Sequence, residues 1–83
     1  MIKNYPFIII FLEDGVYGYF PDVKNVTIKA ELVSTCLIRA KKELKEELKR
    51  YTNKKKTLPL ANHISYYVCK EKRNYVTNIT VDI

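Results

Sequence analysis

Asp14-Gly15 separates two runs that read as β-strands, Tyr5–Leu12 and Val16–Phe20, and this pairing constrains the rest of the chain. Glycine takes positive φ without steric cost and aspartate tolerates it, so the dipeptide is a strong signal for a tight hairpin. Pro21-Asp22 then stops the second strand, because proline cannot donate to a ladder. The first run is apolar on both faces: Phe7, Ile9 and Phe11 on one, Ile8, Ile10 and Leu12 on the other. Such a strand is expected to be central and covered on both sides. In the second run Val16, Gly18 and Phe20 share one face, and Tyr17 and Tyr19 the other. A third strand, Val26–Lys29, alternates Val26 and Ile28 with Thr27 and Lys29. A last strand, Tyr75–Ile83, alternates Ile79, Val81 and Ile83 with Asn78, Thr80 and Asp82. The sheet so built has one aliphatic face and one mixed face rich in tyrosine, threonine and asparagine.

Between these strands lies one long amphipathic segment, about Glu31 to Thr52. Val33, Cys36, Leu37, Ala40, Leu44, Leu48 and Tyr51 recur at helical steps, with Arg39, Lys42, Glu43, Lys45, Glu46, Lys49 and Arg50 on the other side. Glu46 and Arg50 stand four apart in the favourable order, worth roughly 0.3 kcal/mol. The stripe can cover one sheet face and not both. Lys54–Pro59 ends the helix. Asn62–Lys70 reads two ways: Ile64, Tyr66, Tyr67 and Val68 favour a strand, with a hairpin closing through residues 70–74. Ile64, Tyr67 and Val68 also fit helical steps, with Asn62 as the cap.

The chain of 83 residues is expected to form a single domain, 1–83, and its 47% hydrophobic content argues against disorder. Tyr5–Leu12 is too short for a membrane span, which needs about 20 apolar residues, and lacks a signal-peptide cleavage pattern. The expected location is the cytoplasm, where Cys36 and Cys69 are reduced thiols. Their spacing fits no compact metal site, and Cys36 falls on the apolar stripe. His63, the only histidine, has no acid or nucleophile nearby in sequence. The interior of the first strand carries no carboxylate, and Glu13, Asp14, Asp22 and Asp82 lie at turns or strand ends. With two glycines there is no phosphate-cradling loop. No catalytic residue, metal or cofactor is expected.

Net charge is +6, and residues 41–56 hold eight basic and three acidic residues, net +5. Lys42, Lys45, Lys49, Arg50, Lys54, Lys55 and Lys56 form a basic patch open to two readings. It is a solvated helix face whose C-terminal lysines complement the helix dipole, or a surface for nucleic acid or an acidic partner. Only Tyr51 is aromatic there, so the stacking platform of a single-strand binder is missing.

The pattern Tyr5-Pro6, strand, acidic-glycine turn, and Tyr17-x-Tyr19-Phe20-Pro21-Asp22 resembles the N-terminal hairpin of the HicB-like antitoxins. Cys36 and Ala40 are similar to the paired small residues on that family's helix. Leu58-Pro59 lies where the family leaves its helix, and Val81-Asp82-Ile83 resembles its closing strand. The resemblance implies an α+β fold of truncated ribonuclease-H-like type, in the order β-β-β-α-(α)-β. Three strands would form an antiparallel meander, the long helix would pack on one face, and the final strand would lie beside the first. It favours a short helix over residues 62–70. It implies a non-enzymatic antitoxin module that binds and masks a small RNA-cleaving, HicA-like toxin by protein contact. Many such chains carry a DNA-binding tail, which would lie beyond Ile83, so weak and non-specific nucleic-acid binding is expected.

The expected partner surface is the sheet face of Tyr17 and Tyr19, with Asp22 beside it, since tyrosine buries a large ring while keeping a polar handle. Homodimerisation, or higher self-association, is expected because one helix leaves half of a doubly apolar strand uncovered. The alternatives are a basic nucleic-acid-binding module and a stand-alone homo-oligomer with a regulatory or phage-related role. An RNA-binding toxin is itself expected to be basic, and like charges slow encounter. The antitoxin reading therefore requires the lysine face to point away from the toxin.

Overall fold

A computed structural model describes residues 1–70 and 74–83. The element order is β1 (Ile2–Leu12), β2 (Gly15–Tyr19), β3 (Thr27–Ala30), α1 (Val33–Asn53), α2 (Ile64–Lys70) and β4 (Tyr75–Asp82). One four-stranded antiparallel sheet has the order β3-β2-β1-β4. β1, β2 and β3 form the expected meander, and β4 lies beside β1 as expected, so that the sheet counts four strands: the pairing runs from Ile2↔Asp82 to Ile9↔Tyr75. That pairing is why β1 begins at Ile2 and not at Tyr5.

The hairpin closes at Leu12↔Gly15, leaving Glu13 and Asp14 as the loop. Gly15 has φ 158°, and a Cβ there would stand 2.4 Å from the Ala30 carbonyl oxygen. Close approach of β3 therefore demands glycine as well. Asn25, at φ 70°, turns the chain from Pro21-Asp22 into β3, a conformation asparagine adopts more readily than most residues.

α1 packs across the face made by Tyr5, Phe7, Ile9, Val16, Phe20, Val26, Ile28, Ile79 and Val81. Its contribution is Cys36, Ala40, Leu44 and Leu48, all fully buried, so the small pair and the two leucines of the stripe form the contact. Gly18 permits this closeness: a Cβ there would lie 2.2 Å from Phe7 Cζ and 3.0 Å from Cys36 Sγ. The helix starts at Val33 and not at Glu31, because Leu32 is its N-cap in extended conformation without a side-chain cap bond. It ends in a Schellman motif. Lys55 adopts φ 57°, its N–H donates to the Thr52 carbonyl at 3.0 Å, and the Lys56 N–H donates to the Tyr51 carbonyl at 2.9 Å. The exit is pinned where the Tyr5 hydroxyl donates to the Pro59 carbonyl at 2.7 Å.

Residues 62–70 yield the short helix α2, although the cap is His63 and not Asn62. The Ser65 N–H donates to His63 Nδ1 at 3.2 Å, and the Tyr66 N–H donates to the His63 carbonyl at 3.0 Å. The alternative hairpin would close through residues 70–74, of which 71–73 lie outside the described residues. α2 packs against β1 and β4. Ile8 and Tyr67 are both buried but stand outside the cluster beneath α1, and they form a second, smaller core on the opposite face. The two covers reach only part of β1. Ile10 is half-buried, and Phe11 and Leu12 are 57% and 42% exposed, because β4 ends opposite Ile9 and the tip of β1 projects past it.

Candidate partner-binding surface

Among the described residues, α2 packs on the β1–β4 half of the face opposite α1, beside the β2 half. Register sets what is displayed there. Tyr19 lies between Ile8 and Thr27, and Tyr17 between Ile10 and Lys29. Tyr17 and Tyr19 follow one another on the same face and are half-buried, their ring centroids 6.1 Å apart and their planes at 32°. With exposed Leu12 at the hairpin end, the strip is aromatic and aliphatic with a threonine and a lysine along its margin. It offers large rings that need little ordering on contact.

Asp22 does not point a spare carboxylate at this strip. Its Oδ2 accepts the Asn62 N–H at 3.0 Å, and its Oδ1 accepts the Asn62 side-chain amide at 3.1 Å and also the Tyr67 hydroxyl. The Asn62 amide donates to the Tyr67 oxygen at 2.9 Å as well. The residue read from the sequence as a contact is thus a clasp between the β2–β3 turn and α2. Burial, and then the bond to Asp22, push the Tyr67 phenol above its ordinary pKa, so it remains a donor. Asn62 and Tyr67 escaped sequence reasoning because nothing in their spacing points to a turn forty residues earlier.

The basic residues stand apart from this face. Lys42, Lys45, Lys49, Arg50, Lys54, Lys55 and Lys56 are all exposed, along α1 and its C-terminal exit. The expected Glu46–Arg50 pair does not form. Arg50 Nη1 donates instead to Glu47 Oε1 at 2.7 Å. Glu47 is 7% exposed at the edge of the buried stripe, where a carboxylate needs a partner. An open cavity of about 280 Å³ there is lined by Asn25, Glu47, Arg50, Tyr51, Lys54 and Lys56. Its arginine is already neutralised by Glu47.

The remaining reactive groups are scattered. Cys36 is buried, and desolvation, opposed by Arg39, raises its thiol pKa. Cys69 is exposed. Asp82 is held below the ordinary carboxylate range by its bond to the Met1 ammonium at 2.8 Å. Among the described residues, no three histidine, cysteine, aspartate or glutamate side chains gather where they could hold a metal ion. Among the same residues, no helix is long and apolar enough to cross a membrane.

No family model matches the sequence, and no curated protein does. Solved structures do. A chain of a HicA3 and HicB3 toxin-antitoxin complex is 20% identical, with 98% of this chain and 100% of that chain covered and a TM-score of 0.75. A chain of a toxin-antitoxin complex from Streptococcus pneumoniae is 14% identical, with 99% and 70% covered and a TM-score of 0.84. Antitoxin HicB3 is 20% identical, with 96% and 62% covered and a TM-score of 0.73. The resemblance to HicB-like antitoxins first read from the hairpin thus extends along the whole chain, whose fold is that of the HicB3 antitoxin.

Proposed function

We propose that this chain is an antitoxin module, a single HicB-like domain over 1–83 of truncated ribonuclease-H-like type. It binds a small RNA-cleaving, HicA-like toxin and masks it by protein contact, making and breaking no bond itself. The observation that carries the reading is a likeness to one chain of a HicA3 and HicB3 toxin-antitoxin complex, which covers that chain and this one almost end to end. The strip of Tyr17 and Tyr19 is the proposed contact, and Asp22 supports it by fixing α2. The lysine face of α1 lies on the other side of the sheet, which meets the requirement set by a basic toxin. The module acts in the cytoplasm, binds nucleic acid weakly and without sequence preference, and self-associates, most simply as a homodimer.

Co-expression with a HicA-like toxin from the neighbouring reading frame, scored by growth rescue and pull-down, tests this. Tyr17→Ala with Tyr19→Ala should weaken binding by about 2 kcal/mol, as expected for central aromatic contacts. Reversing Lys42, Lys45 and Lys49 to glutamate should leave binding equal or stronger. Loss of rescue on lysine reversal, with the folded tyrosine variant still protecting, would put the contact on α1.

A further inference from the structure

We propose that the outer edge of β4 is the self-association surface, pairing antiparallel with the same edge of a second copy of this chain. The inference rests on the self-association stated above and is independent of the toxin reading. β4 ends the strand order, so among the described residues a strand flanks it on one side only. Which backbone groups face outward follows from the register. Ile83 donates its N–H to the Met1 carbonyl at 2.9 Å, at the offset that pairs Lys3 with Val81 and Tyr5 with Ile79. Bonding alternates along an antiparallel pair. The odd-numbered residues of β4 therefore bond β1, and Val76, Asn78, Thr80 and Asp82 turn their N–H and C=O groups to the open edge. Pro6 agrees with this phase: it lies opposite Asn78, in a pair that asks no N–H of it. Asn78, Thr80 and Asp82 are exposed.

Sheet edges are ordinarily blunted by shortness, lysine or proline. The edge at β3 is blunted: it is four residues long and carries exposed Lys29. The edge at β4 is not, with eight residues, Tyr75-Val76-Thr77-Asn78-Ile79-Thr80-Val81-Asp82, and neither lysine nor proline. Beside it, between α1 and β4, runs an open groove of about 330 Å³ lined by Leu37, Ile38, Lys41, Thr77 and Ile79 among others. Ile38 is 73% exposed there, and Tyr75, on the same face of β4 as Thr77 and Ile79, is 47% exposed.

Along the strand itself, charge does not oppose a second copy. Two copies of a +6 chain repel wherever their basic surfaces meet, and residues 41–56 hold most of that charge. β4 carries one charged side chain, Asp82, already bonded to the Met1 ammonium. A two-fold axis at Ile79 would set Asn78 opposite Thr80 of the partner subunit, and Val76 opposite Asp82 of the partner subunit. Ile79 would meet its own image, and along the paired strands no like charges would face each other. That axis is perpendicular to the sheet, so both α1 helices lie on one side and bring Ile38, and Lys41 of the same groove, toward the seam from each copy. Two-fold closure leaves no further open edge at β4.

The experiment uses the full chain at increasing micromolar concentration, followed by light scattering and amide hydrogen exchange. The mass should rise from 9.8 kDa toward twice that value. The amides of Val76, Asn78, Thr80 and Asp82 should slow in step with the mass, while those of Thr77, Ile79 and Val81 are slow throughout. Ile38→Glu and Asn78→Pro should each raise the dissociation constant at least about tenfold, the scale of one buried aliphatic contact. Tyr17→Ala should leave it unchanged. A wild-type monomer at every concentration overturns the inference together with self-association. A dimer whose even-numbered β4 amides exchange freely, or which survives Ile38→Glu, overturns the edge alone. If Asn78→Pro fails to fold, Ile38→Glu, at an exposed helix position, still decides.

Discussion

Gly18→Ala should cost this protein far more than its chemistry suggests. In a typical strand, replacing glycine by alanine gains roughly 0.5–1 kcal/mol from reduced unfolded-state freedom. At Gly18 the new methyl would sit 2.2 Å from Phe7 Cζ and 2.7 Å from Phe7 Cε2, against an ordinary contact of 3.4–4 Å. The Phe7 ring would have to move by more than an ångström, and it has nowhere to go. It is fully buried, its centroid lies 4.6 Å from that of Phe20, and Cys36 Sγ closes the helix side at 3.0 Å from the same methyl. Overpacking of this kind costs about 1–3 kcal/mol, and a clash with a boxed-in ring belongs at the upper end. The net loss is about 2 kcal/mol, which in a domain of this size lowers Tm by roughly 8–16 °C. Urea titration followed by circular dichroism measures it. Phe7→Leu should be destabilising alone but should make Gly18→Ala nearly free, a coupling of about 1–2 kcal/mol in a double-mutant cycle. A Gly18→Ala variant within about 0.5 kcal/mol of wild type, or a cycle with no coupling, would show that the helix–sheet spacing is not set by this glycine.

Lys55→Gly should raise stability by about 0.5–1 kcal/mol, since a non-glycine residue at φ 57° pays a left-handed penalty; a lower urea midpoint would contradict this. Alkaline titration should unfold the protein cooperatively. Burial first, then Asp22's charge for Tyr5 and the Asp22 bond for Tyr67, hold both phenols above the ordinary value of 10.0. Unfolded tyrosines ionise earlier than these two, so their contribution is whole below pH 10 and lost as pH rises through the raised folded values. Tyr67→Phe should cost about 1.5 kcal/mol at neutral pH by removing a bond to a charged group, and Tyr5→Phe with Tyr67→Phe should flatten the alkaline decline. An unchanged decline would place its cause elsewhere.

Much of this fold could be read before the coordinates, because period and alternation are local. The stripe Cys36, Ala40, Leu44 and Leu48 is the helix contact, and β1 is central because both of its faces are apolar. What escaped is set by partners distant in sequence. The clasp joins Asp22 to residues forty and forty-five positions away, so Asp22 looked like a free surface acid. Asn62 looked like a helix cap because its amide suits that role, yet the same amide is spent on the clasp and His63 does the capping. Glu46 lost Arg50 to Glu47 because desolvation at the stripe's edge gives Glu47 the greater need. Helical spacing alone cannot rank these needs. The Tyr17–Tyr19 strip was legible by alternation, but its setting was not, since that depends on where α2 lies, over β1 and β4.

The placement of the α1 lysines opposite the tyrosine strip, where Lys29 is the cation at the margin, gives the described residues an electrical front and back. α1 carries its cations on one side of a body only 18 Å through its shortest dimension, and the tyrosine strip looks out from the other. A positively charged body approaching from a distance exerts a torque on such an object and turns the lysine side away before the surfaces touch. Repulsion that would slow a uniformly charged pair here also orients, and collisions that do occur are enriched in those presenting the aromatic side. Added salt therefore acts in two opposing ways, easing the approach while blurring the alignment.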